Sequence, residues 1–257
     1  MGRWRRLVGG GLVGGVLLVR AAVPLGAAMS VDRVSEGNMR DGNPSSLSTS
    51  DSNWYREDTR VGGGVTLTKD FAAPGNTVGP AGHPNFGDGS LALTTNSQTT
   101  AKAQLFTSHH VTGTPLAAIT KLSYYTYQSS TTSPAIADAA YEITVDLGGG
   151  GFTTLVYEPY QGGGPGPIVP DTWQYWDATS GNWWSTRQIT CGSFSIAPGH
   201  GGPPFTNPTE VGVNCPNAKV IQVGVNVGSN NANYTVAVDG LQFQTATDDF
   251  TWDFGPK

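Results

Sequence analysis

Charge is scarce in this chain. Asp, Glu, Lys and Arg together make up 13% of its 257 residues, with a formal net charge of −5, about half the usual charged share. Beyond the first six residues no run of Lys or Arg occurs. That excludes the basic footprint that nucleic acid requires and makes an anionic membrane surface a poor partner. Long apolar runs are missing too, and no segment after residue 19 has the length of a transmembrane helix. Zinc-type ligand spacings, HExxH and GxSxG are all absent. The glycine runs do not open a helix, so they are not phosphate cradles. Cysteine is limited to Cys191 and Cys215.

What is present is Gly (36), Pro (17) and much Ser, Thr and Asn, a mix that suits turns and solvated strand faces and disfavours long helices. The N-terminus opens with Arg3, Arg5 and Arg6, then an apolar stretch over residues 7–19, then the small residues of "PLGAAMS". This is the pattern of a secretory signal peptide over residues 1–28, cut after Ala28, and it leaves a mature chain with no membrane span. An isolated cysteine pair in an exported chain predicts a Cys191–Cys215 disulfide. Residues 29–52 lack an apolar period and read as a flexible linker.

From residue 53 to 257 the pattern is of strands. "GVTLTKDF", "GSLALTT", "AKAQLFTS" and "AITKLSYYTYQS" alternate apolar and polar residues between turn residues,. "AAYEITVDLGGGGFTTLVYEPY" reads as a hairpin about residues 148–151. Only residues 115–119 suggest a short helical turn. Many short strands in turn-rich connections predict an all-β sandwich or barrel in one domain. The blocks "GDGSLALTT", "AKAQLF", "TWQYWDA", "NWWS", "AKVIQVGVNVGS" and "VDGLQF" resemble a group of exported bacterial domains. The resemblance covers most of residues 54–243. It implies a two-sheet antiparallel jelly-roll sandwich, similar to concanavalin-like lectins and carbohydrate-binding modules, and leaves function largely open.

Residues 171–185, "DTWQYWDATSGNWWS", hold four tryptophans and a tyrosine. With a tight turn over residues 178–181, they predict a hairpin in which Trp176 lies opposite Trp183. Strand alternation then sorts Trp173, Tyr175, Trp184 and Thr186 to one face, and Gln174, Trp176, Trp183, Ser185 and Arg187 to the other. The second set is the more polar and is expected to face solvent. Trp176 and Trp183 would form a sugar-stacking pair flanked by Gln174 and Arg187. Aromatic cross-strand pairs also stabilise sheets without any ligand, and a one-residue slip in the turn would exchange the faces.

A glycoside hydrolase needs two carboxylates facing one cleft. The candidates are Glu142, Asp146 and Glu158. Pairing about residues 148–151 sets Glu142 opposite Tyr157 and Glu158 opposite Tyr141, which sends the two glutamates to opposite faces and argues against an acid/base pair. His109 and His110 are adjacent and would diverge in a strand; His83 and His200 sit in Gly/Pro loops. All four read as ordinary surface or loop residues. The jelly-roll resemblance implies a structural calcium with Asp239 as a ligand and Glu57, Asp58 and Asp88 as candidate contributors; a turn-capping role for Asp239 beside Gly240 competes with it. The expected function is a secreted, non-catalytic module that recognises extracellular glycan. A structural or adhesive envelope protein meeting a cell-surface partner is the alternative, and a glycan hydrolase the third.

Overall fold

A computed structural model describes residues 27–69, 71, 86–87, 89–132, 137–149, 151–161 and 166–256. The signal-peptide reading therefore falls almost wholly outside the described residues, as do His83 and Asp88. Among the described residues no helix is long and apolar enough to cross a membrane.

The described residues form two seven-stranded sheets packed face to face, with one short α-helix, in the all-β jelly-roll class expected. The first sheet contains β1 (Met29–Val34), β4 (Gly63–Thr68), β5 (Ser90–Thr95), β7 (Ile119–Gln128), β10 (Trp173–Asp177), β15 (Thr235–Thr245) and β16 (Asp249–Phe254). The second runs in the order β11 (Trp183–Ser185), β9 (Phe152–Tyr157), β8 (Ala140–Asp146), β14 (Lys219–Val227), β6 (Ala103–Thr107), β3 (Trp54–Arg56) and β2 (Met39–Asp41). A ribbon of β12 (Ile189–Cys191) and β13 (Phe194–Ile196) stands apart, and α1 covers Pro208–Asn214. Most pairings are antiparallel; β1 with β16 and β2 with β3 are parallel. The segment expected to be a linker thus supplies two strands. In "MSVDRV" only Val34 is buried while Met29 and Val31 are exposed, so β1 is a largely exposed edge held by β16.

Alternation explains the core. On β8 and β9, Tyr141, Ile143, Val145, Leu155 and Tyr157 point inward, and on β15 Val236, Val238, Leu241 and Phe243 do the same, all fully buried. Burial of a side chain of this size contributes about 1.5–3 kcal/mol. The inward parity on β15 shifts at Asp239–Gly240, where a register break interrupts pairing with β7 and the other edge of β15 passes from β5 to β16. Gly240 has φ +57°, and a Cβ there would lie 2.7 Å from the Phe86 ring, so only glycine fits. Asp239 Oδ1 accepts hydrogen bonds from the Gly240 and Phe254 amides, each 2.8 Å, satisfying donors the break would orphan.

The predicted Trp-rich hairpin does not form. β10 pairs with β7, setting Trp173 opposite Tyr127 and Tyr175 opposite Tyr125. The chain then crosses to the other sheet, where β11 pairs with β9. Trp183 exchanges both backbone bonds with Thr206, at 2.9 and 2.8 Å, so β11 has no need of β10. The turn over 178–181 exists, but it joins two layers.

The disulfide is present between Cys191 and Cys215, with Cα atoms 5.4 Å apart. It encloses β13, a glycine-rich loop and α1. That helix, inside a segment read as loop, has a sequence signal: Asn207 caps the Glu210 amide at 2.8 Å and Pro208 follows at the first helical position, a combination suited to helix starts.

Candidate functional site: a polar groove on the second sheet

The outward positions of the second sheet carry few large apolar side chains. Register sets Gln104 on β6 opposite Asn226 on β14, and Glu142 on β8 opposite Val156 on β9; Asn226 itself faces Ala140, so Glu142 is its diagonal neighbour on the same face, and all four are buried. Loops rise on both sides of this row and leave a groove of about 650 Å³, within the range of small-ligand sites. Arg60, Lys102 and residues 228–231 line one side of it; Glu158, Tyr160, Trp184, His200 and Gly201 line the other.

The floor is a hydrogen-bonded row. Asn226 Nδ2 donates to Glu142 Oε1 at 2.7 Å and to Gln104 Oε1 at 3.3 Å. Asn226 Oδ1, buried, has no hydrogen-bond partner among the described residues, an unmet acceptor that costs stability unless something donates to it. Burial pushes the Glu142 carboxyl up to about 7, since a low-dielectric site disfavours the charged form. Asp138, at the groove edge, is raised to about 7 by the same cause.

The far wall is organised by Glu158. Its Oε2 accepts from Trp184 Nε1 and from Gln161 Nε2, each at 2.8 Å. Desolvation raises its pKa and these donors oppose the rise. The Gln161 amide also bonds the Gly201 carbonyl and the Tyr160 hydroxyl. The loop around Gly201 belongs to the disulfide-closed segment. Gly199 bonds the Ser185 carbonyl at 3.0 Å, and a Cβ on it would sit 2.5 Å from Trp184 Cβ. The disulfide therefore closes the segment that supports one wall. Tyr160, 42% exposed, and the half-buried Trp184 present aromatic surface there.

The sequence-predicted residues fare differently. Trp176 and Trp183 are both 0% exposed; the first donates to Thr126 Oγ1 at 2.7 Å and the second to the Ala178 carbonyl at 2.8 Å. They are core, and the exposed stacking pair is corrected. Gln174 is used up locally, accepting from the Val169 amide and donating to the Pro167 carbonyl. Arg187 lies over the Phe152 ring, 3.8 Å from its centre, at the opposite end of β9 from Glu158. The face assignment was inverted: Trp173 and Tyr175 sit on the outer side of the first sheet, Trp184 on the outer side of the second.

The carboxylate geometry is corrected too. Glu142 lies opposite Val156 and Tyr141 opposite Tyr157. Leu147 N bonds the Gly151 carbonyl and Gly148 N bonds Asp146 Oδ1, so the loop spans 147–151 and the parity moves by one. Glu142 and Glu158 consequently share one face and both line the groove. Asp146 stays outside it, exposed beside the turn.

The calcium reading changes membership. Glu57 bonds Gln222 and Asp58 bonds Arg60 and Lys102, so both carboxyls are engaged with partners other than Asp239. Asp239 is fully buried, and burial raises its pKa well above the usual range, with Asp253 adding to the rise. Asp239 Oδ2 and Asp253 Oδ1 are buried without partners among the described residues. Two free carboxylate oxygens suit part of a calcium's oxygen shell.

No protein-family model matches the chain, and no curated protein matches it. Among solved structures, the chain is similar to a family 11 carbohydrate-binding module from Clostridium thermocellum in complex with a β-1,3-1,4-mixed-linked tetrasaccharide. The identity is 11% and the TM-score 0.34, over 76% of this chain and 89% of that one. It is also similar to the family 11 module of a cellulosomal cellulase of the same organism, at 10% identity and TM-score 0.35, over 76% and 88%.

Proposed function

We propose that this chain is an exported glycan-binding module whose site is the groove on the second sheet. The observation that carries the reading is the buried Gln104–Asn226–Glu142 row. Asn226, at its centre, keeps an unpartnered carbonyl oxygen, and Trp184 and Tyr160 present aromatic surface in the same groove. Sugar hydroxyls both donate and accept, which matches a mixed amide and carboxyl floor, and the C–H faces of a pyranose pack on aromatic rings. Export is supported by the leader pattern in residues 1–28, by β1 beginning at Met29, and by the disulfide,. Affinity electrophoresis through a panel of soluble polysaccharides tests the site. At least one should retard the wild-type protein, and Trp184→Ala or Asn226→Ala should abolish the retardation. Retention unchanged in both variants, or none on any glycan, would overturn the assignment.

A second reading rests on the register. Glu142 and Glu158 line one groove and both have raised pKa, as the two carboxyls of a glycoside hydrolase would. Glu142, the more deeply buried and the one with a single donor, would be the acid; Glu158, held by two donors, the ionised partner. Sugar release that is lost in both Glu142→Gln and Glu158→Gln, with retention kept, would establish hydrolysis; retention without release would exclude it. A structural calcium at Asp239 and Asp253 completes the proposal. EGTA should lower the melting temperature of the wild type and leave Asp239→Asn unchanged; identical melts with and without chelator would remove it.

A further inference from the structure

Asp32, His109 and His110 converge at a point that neither the groove nor the core requires. One nitrogen or oxygen from each lies within 4.8 Å of the others. We propose that these three side chains bind one divalent transition ion, with zinc the first choice.

The two histidines follow β6 in a turn, and His110 has φ +65°. That left-handed residue stops the alternation that would send neighbouring side chains to opposite faces. The rings instead lie side by side, centroids 3.6 Å apart. His109 Nδ1 is 2.7 Å from the Thr49 carbonyl. A carbonyl only accepts, so Nδ1 carries the proton and Nε2 is left with its lone pair, 3.7 Å from Asp32 Oδ2. An imidazole whose second nitrogen donates to a backbone carbonyl is the usual arrangement of a metal-ligating histidine. His110 Nε2 is 2.8 Å from the same oxygen, and its ring stacks on Phe250 at 4.1 Å with planes 1° apart, which fixes its orientation.

Ligand atoms on a tetrahedral ion with bonds of about 2.0–2.1 Å stand about 3.3 Å apart. The His109–Asp32 separation is slightly longer than that and the His110–Asp32 hydrogen bond slightly shorter, so a small opening of the bond admits the ion. In that change the His110 proton moves to Nδ1 and Nε2 becomes a ligand. Two imidazoles and one carboxylate suit zinc, copper or nickel better than calcium. The side chains are between 16% and 32% exposed, so water can take the fourth position. The site joins β1 on one sheet to the end of β6 on the other, and an ion there would pin the first strand to both layers.

The test uses the chain without a polyhistidine tag. Zinc is titrated against a chromophoric chelator, and copper(II) is examined by electron paramagnetic resonance. One equivalent of zinc should bind saturably at micromolar concentration, and zinc should raise the melting temperature. The copper spectrum should carry hyperfine structure from two nitrogens. His109→Ala and Asp32→Ala should weaken binding by about tenfold or more and lose the thermal shift. The proposal is overturned by a titration without saturation, by variants that bind as the wild type does, or by a copper spectrum with fewer than two nitrogens. The spectrum needs no variant, so a substitution that fails to fold does not leave the question open. Polysaccharide retention, measured separately, does not bear on this site.

Discussion

The outer faces of the two sheets make an instructive contrast. On the first sheet, Tyr125, Tyr127, Trp173 and Tyr175 form a cross-strand aromatic patch, and Phe71 and Phe86 pack onto it. On the second, the corresponding surface is a row of amides and carboxyls with aromatic residues confined to one wall. The aromatic face is capped by the chain's own phenylalanines, while the polar face is left as a groove. Aromatic density therefore marks a second small core, and the open surface is the one whose amides and carboxyls line a groove,.

Tryptophans on the two sides of one chain crossing give the widest test of that contrast. Trp176→Ala and Trp183→Ala should each cost about 3–5 kcal/mol in urea denaturation, whereas Trp184→Ala should cost far less and show its effect in glycan retention. Equal destabilisation by all three would erase the distinction between core and wall. Reducing the Cys191–Cys215 bond should cost about 3 kcal/mol for a loop of this length and weaken retention through the Gly199–Trp184 contact. A reduced protein that binds as well as the oxidised one would show that the wall stands without its tether.

Acidity should separate the faces next. The Glu142 carboxyl is raised from 4.5 to about 7 by burial. A raised folded-state pKa contributes stability that is complete below the unfolded value and lost as pH rises through the folded one. Stability should therefore fall between about pH 4.5 and 7, with Asp138 acting in the same direction. Glu142→Gln should remove its share, about 3 kcal/mol at pH 8 and little at pH 4; melting temperatures that change by equal amounts at both would refute the assignment. Smallest of all, Arg187→Ala should cost about 0.5–1 kcal/mol from its stacking on Phe152 and leave retention intact, sharpening the boundary of the groove.

Alternation made the strands β5, β6, β7, β14 and β15 legible, and the lone cysteine pair and the apolar run at residues 115–119 pointed to the disulfide and the short turn at Leu116–Ala118. The departures share a cause, which is that local turn chemistry does not decide which strands pair. "DATSGN" is compatible with a hairpin, yet Tyr125 and Tyr127 offered Tyr175 and Trp173 a better partner strand. One extra residue in the 147–151 loop was enough to bring Glu142 and Glu158 together, because strand parity has no tolerance for a shift of one. Tyr160 carried a weak signal in "YEPYQ", an aromatic just past a strand end. The meeting of Asp32 with His109 and His110 carried none, since it depends on which strands become neighbours.

The parallel pairing of β1 with β16 sets Met29 beside Asp249 and Val34 beside Phe254. The earliest described strand can dock only on the latest one. Contacts between such distant positions close slowly, because the loop entropy is lost before the contacts form. In a chain that emerges through a pore from its N-terminus, this edge stays unzipped until the final strand is through.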